Sequence, residues 1–117
     1  MLTIHAHPKP ILGLFRITEM EMWDQDFVDA EVEGYFHFES ATRGRFQFGY
    51  VCGGMTLEQT TRGGKPAVEW SWEGNDEMDE ATGRGWAVLQ NDGSLKGKIS
   101  FHRGDSSTFS AVRKMGT

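Results

Sequence analysis

The sequence predicts an all-β domain, a small antiparallel meander barrel of six to seven strands, with a β-sandwich as the alternative. Apolar and polar residues alternate with a period of two over Glu31–Glu39, Arg45–Cys52, Ala67–Glu73 and Leu95–His102. Turn-forming stretches, Arg62-Gly63-Gly64-Lys65 and Asn91-Asp92-Gly93-Ser94, separate such segments. Glycines at positions 34, 49 and 97 fall inside the expected strands, where they ease strong curvature and favour a barrel over a sandwich.

Taken in order, Pro8 and Pro10 delay regular structure to Ile11 or later, so residues 1–10 are expected to be extended or flexible. Ile17–Trp23 reads as a strand with Met20 and Met22 on one face. Asp24–Ala30 reads as a turn or as one helical turn. In Glu31–Glu39, Val32, Gly34, Phe36 and Phe38 share the inner parity. After a turn at Ala41–Gly44, the next strand points Phe46, Phe48, Tyr50 and Cys52 inward, and Gly53–Gly54 suggests a bulge or bend before Met55–Thr60. Ala67–Glu73 places Val68, Trp70 and Trp72 on one face. Gly74–Gly83 reads as an acidic loop, Arg84–Gln90 and Leu95–His102 as strands, Arg103–Asp105 as a turn made by Gly104, and Thr108–Lys114 as the last strand.

With 117 residues, 38% of them hydrophobic, the chain can bury a core as a single domain over 1–117. Its sole cysteine, Cys52, reads as a small buried hydrophobe. The opening residues lack the pattern of a secretory leader, and no segment approaches the roughly 20 apolar residues of a bilayer span. The expectation is a cytoplasmic protein without membrane contact. The net charge is −5, divided unevenly: residues 1–80 carry 15 acidic and 6 basic side chains, residues 81–117 carry 2 and 6. That balance argues against nucleic acid as a partner, although Lys96 and Lys98 share a face.

The candidate sites are weak motifs, each with an ordinary structural explanation. Asp76, Glu77 and Asp79, in the run Glu73–Glu80, offer oxygen ligands to a divalent cation, but the calcium-loop pattern is missing and a solvated turn explains the same residues. The acidic run Glu19–Glu33 interleaves carboxylates with Met20, Met22, Trp23, Phe27 and Val28, a composition suited to a basic protein surface. Acids in water and aromatics in the core are the favoured explanation of the same run. Glu69, Glu73, Asp76 and His102 form an alternative catalytic set for a small hydrolase or isomerase, if they converge on a cavity. His5 and His7 face alike, yet two ligands are too few for a structural zinc site. Gly83-Arg84-Gly85 can form an anion-holding turn, and Arg103-Gly104-Asp105 a hairpin turn.

The segments FQFGYV at Phe46–Val51, PAVEWSWEGNDEMD at Pro66–Asp79, GRGWAV at Gly83–Val88 and ISFHRGDSSTF at Ile99–Phe109 resemble those of a group of small bacterial β-proteins of uncharacterised activity. The resemblance covers about the second two-thirds of the chain. It implies a shared small β-fold and brings no activity, cofactor or partner with it.

The leading functional expectation is a non-enzymatic binding module for a protein or small ligand, with Trp23, Asp76, Glu77, Asp79 and Arg84 as its binding residues. A homodimer is a companion expectation, because surplus aromatics suit interfaces. The alternatives are the carboxylate enzyme and the cation-binding structural domain. No cofactor is expected.

Overall fold

In the computed structural model, which describes residues 9–114, the chain forms a closed antiparallel barrel. Eight strands follow in sequence order: β1 (Gly13–Met20), β2 (Tyr35–Phe38), β3 (Arg43–Phe48), β4 (Val51–Arg62), β5 (Lys65–Asp76), β6 (Asp79–Leu89), β7 (Leu95–Phe101) and β8 (Ser106–Arg113). A short helix, α1 (Gln25–Val28), lies between β1 and β2. Each strand pairs with its neighbours in sequence, and β1 pairs with β8 to close the ring. The strand number is thus higher than the expected six to seven, and the sandwich alternative is excluded by closure. No helix among the described residues is long and apolar enough to cross a membrane.

Most of the acidic loop expected at 74–83 is strand, which lengthens β5 and β6 without adding to their number. Gly74–Asp76 continues β5 and Asp79–Gly83 begins β6, with Asp76 opposite Asp79. Only Glu77 and Met78 turn the corner, and Glu77 takes φ +56°. Polar residues at a hairpin tip carry no inward face, so period two gives no signal there.

Other differences have similarly local causes. β1 ends at Met20 rather than Trp23, and its register against β8 shifts between Ile17 and Glu19. That bulge returns Met20 to the interior and leaves Met22 exposed. β2 is shorter than Glu31–Glu39, and Val32 is exposed. Phe46 and Phe48 point inward as expected, but Gly49 and Tyr50 form a two-residue turn, with Gly49 at φ +58°. Tyr50 and Cys52 are consequently exposed. Gly53–Gly54 is neither bulge nor bend: β4 runs through it in unbroken register with β3 and β5. In the β7–β8 turn it is Arg103, at φ +59°, that adopts the left-handed conformation, not Gly104.

The interior is filled. Trp70 and Trp72 are buried, and Phe36 on β2 meets Trp70 on β5 at 5.6 Å between ring centroids. Phe36 stacks on Phe109 at 4.4 Å, and Trp72 meets Phe46 and Phe101 edge-on at 5.1 and 5.2 Å. An eight-stranded barrel is just wide enough for side chains to fill it or to hold one small ligand. Here large aromatics take the space.

The segment Gly83-Arg84-Gly85 makes that packing possible. It is not an anion-holding turn but the middle of β6, where Gly83 stands opposite Trp72 and Gly85 opposite Trp70. Both glycines point inward, and the indoles lie across them. Trp72 Nε1 passes Gly83 and donates to the Ser100 carbonyl on β7 at 3.2 Å.

The helix α1 covers one end of the barrel. Asp24 caps it by accepting from the Phe27 amide at 2.9 Å. Val28 is fully buried beneath it. Trp23 and Phe27 stack at 6.0 Å, and Trp23 packs on Phe48 and Phe101 at 5.2 and 6.2 Å. At the other end Ile11 is buried, and its amide donates to Gln59 Oε1 at 3.0 Å.

Candidate functional site

With the interior full, any site must lie on the outer surface. The meander brings four sequence-distant segments to the α1 end: the exit of β1, the Gly49–Tyr50 turn, the Glu77–Met78 turn and residues 102–105. These segments carry much of the chain's acid. Glu21, Asp24, Asp26, Asp76, Glu77, Asp79, Glu80 and Asp105 belong to them, accompanied by one arginine, Arg103. Their spacing in sequence hides this grouping, which appears only when alternate turns are stacked at one pole.

Between those segments lies a recess of about 430 Å³, walled by Asp76, Asp79, Glu80, Thr82, His102 and Asp105. Trp23 and Phe101 supply its aromatic floor. Beside it, on the outer face of β3 to β7, runs a broader groove of about 710 Å³. Small residues, Gly54, Thr56, Ser71 and Ser100, form its bed, and Arg43, Glu73 and Arg84 rise from it. At Gly54 an added Cβ would meet nothing within 4 Å. Thr82, Phe101 and His102 wall both hollows, so the two form one continuous surface.

The charge changes sign along that surface. The recess has four carboxylates and no Lys or Arg. In the groove, Glu39 is held by Arg45 at 3.4 Å, which leaves Arg43 and Arg84 against Glu73. Arg43 donates to Thr56 Oγ1 at 3.2 Å, whereas Arg84 has no ion-pair partner among the described residues.

Of the expected binding residues, Trp23, Asp76 and Asp79 meet in the recess, Glu77 stands at the adjoining tip, and Arg84 lies in the groove. The alternative catalytic residues separate. His102 touches both hollows, Glu73 lines the groove, Asp76 lines the recess, and Glu69 lies outside both, beside Glu58 and Trp86 in the strand register. The set of Glu69, Glu73, Asp76 and His102 therefore does not converge on one substrate atom. Asp76, Glu77 and Asp79 do not assemble as ligands either: among the described residues no three His, Cys, Asp or Glu side chains are grouped to hold a metal ion. His5 and His7 lie outside the described residues.

The acidic run Glu19–Glu33 has a structural role in part. Asp29 is partly buried, which opposes its charge, but the Gly34 amide at 2.8 Å and Gln25 Nε2 at 3.0 Å donate to it, and Arg16 adds attraction. The balance holds its carboxyl below the ordinary value. Glu33 pairs with Arg16 and Lys114.

Sequence reasoning missed Thr82, Phe101 and Asp105 as walls of the recess. Phe101 had a visible inner parity at the end of its strand. Asp105 had no local signal, since its role comes from the turn that sets it beside the β5–β6 hairpin. No family model, curated protein or solved structure matches the chain.

Proposed function

We propose that this barrel is a non-enzymatic binding module that docks a basic protein segment at its α1 end. The observation that carries the reading is the aromatic floor of Trp23 and Phe101 ringed by Asp76, Asp79, Glu80 and Asp105. A lysine or arginine side chain entering there gains attraction from the carboxylates and from the indole face. Exposed apolar residues at the same pole, Met22, Tyr50 and Met78, favour a macromolecular partner over a bare cation. Met78, at 96% exposure, stands free at the hairpin tip. The filled interior argues against a small molecule held inside the barrel.

The test is fluorescence anisotropy with a labelled lysine-rich peptide, titrated at low and at high ionic strength. Binding should weaken steeply with salt. It should be lost in Asp79→Lys/Glu80→Lys, whose folding is checked by circular dichroism. Absence of binding at low salt, or binding indifferent to the charge reversal, would overturn the reading.

A further inference from the structure

The surface beyond the recess suggests what else the partner carries. We infer that the docked segment is extended and amphoteric, with a basic residue for the recess and an acidic residue about four positions away for Arg84. This rests on the proposed docking at the α1 end and adds a second requirement to it.

The geometry points to it through one strand. Glu80, Thr82 and Arg84 are alternate residues of β6 and project from the same outer face. Glu80 and Thr82 wall the recess, while Thr82 and Arg84 wall the groove. A single strand face thus runs from negative, through a neutral hydroxyl, to positive. Successive residues on one face lie about 6.8 Å apart, which places the Glu80 and Arg84 backbones about 13 Å from each other. An extended ligand has the same repeat, so its residues i and i+4 match those two positions.

The bed of the groove allows such a ligand to lie flat. Ser71 faces Arg84 across the β5–β6 ladder, Thr56 faces Ser71, and Gly54 leaves a notch opposite Glu73. None of these side chains is long enough to block a passing backbone. Arg84, with no ion-pair partner among the described residues, is left for the acidic group. Arg43 stands three strands away in the same row and already donates to Thr56. Glu73, which faces Thr82 across the ladder, disfavours an acidic residue placed nearer the recess than Arg84.

The experiment compares two labelled peptides on the intact protein at low salt. One carries a lysine and, four residues on, an aspartate; the other has asparagine in place of that aspartate. The aspartate peptide should bind about threefold tighter, the scale of one exposed ion pair. In Arg84→Ser the difference should vanish while the asparagine peptide keeps its affinity. Equal affinities in the unaltered protein, or a difference that survives Arg84→Ser, would overturn the inference and leave docking at the recess standing. If neither peptide binds, the docking reading itself fails and the inference goes with it.

Discussion

The indole of Trp70 lies where a side chain at residue 85 would be: a Cβ on Gly85 would stand 2.4 Å from its Cε2. A methyl group there has no room unless the ring moves, and the ring is held by Phe36 and Phe38 at 5.6 and 6.0 Å. Gly85→Ala should therefore destabilise the barrel by about 1–3 kcal/mol, the usual range for overpacking. Gly54→Ala, on the open side of β4, should be neutral or slightly stabilising, because alanine loses less backbone entropy than glycine. Urea denaturation of both variants checks the contrast. Equal costs would show that Trp70 is not what fixes residue 85.

Trp23 has two roles that different substitutions separate. It closes the barrel end against Phe27, Phe48 and Phe101, and its ring floors the recess. Trp23→Ala should lower stability by about 3 kcal/mol and remove peptide binding as well. Trp23→Phe should keep most of the stability while weakening the attraction for a cationic side chain, since the indole is the stronger cation–π partner. Thermal denaturation and peptide titration read the two effects independently.

Acid should loosen the α1 end. The folded state holds the Asp29 carboxyl below its ordinary value of 3.8, and Asp92 is likewise lowered by the Ser94 hydroxyl and amide. A carboxyl lowered on folding binds its proton more readily in the unfolded chain. Its stabilising contribution is therefore complete above pH 3.8 and is lost as pH falls through the lower folded value. Asp29→Asn should flatten the decline in stability below about pH 4. Backbone amide exchange at Gly34, whose N–H donates to Asp29, should report the loosening directly.

Cys52 should react in the native protein. Its side chain is exposed on the outer face of β4. A chromogenic disulfide reagent should modify it completely without denaturant, at a rate within about tenfold of the unfolded chain. Protection until unfolding would place the thiol inside.

How much of this was legible in sequence depends on whether a residue faces the core. Phe36, Phe38, Phe46, Phe48, Val68, Trp70, Trp72 and Ile99 were readable from parity, because each alternates with a polar residue on a half-buried strand. The Gly63–Gly64 hairpin was readable from its dipeptide, and both residues take the expected positive φ, +60° and +78°. The β5–β6 tip was not, because both faces of a projecting hairpin are wet and lose the period. Cys52 was misplaced because a two-residue turn at Gly49–Tyr50 reset the parity. For the candidate site, the individual acids stood out by composition. Their gathering at one pole depends on which turns share an end of the barrel, which no local pattern encodes.

Closure through β1 and β8 also orders the folding reaction. The seven other ladders join strands that follow one another in the chain. The seam is different: Thr18 bonds to Ser110, 92 positions away, and Arg113 to the Leu12 carbonyl, 101 positions away. Bringing such distant segments together has the largest chain-entropy cost of any step. The hairpins can form by local search, and the seam must wait for them. Until it forms, β1 and β8 each present an unpaired edge that is open to intermolecular strand exchange.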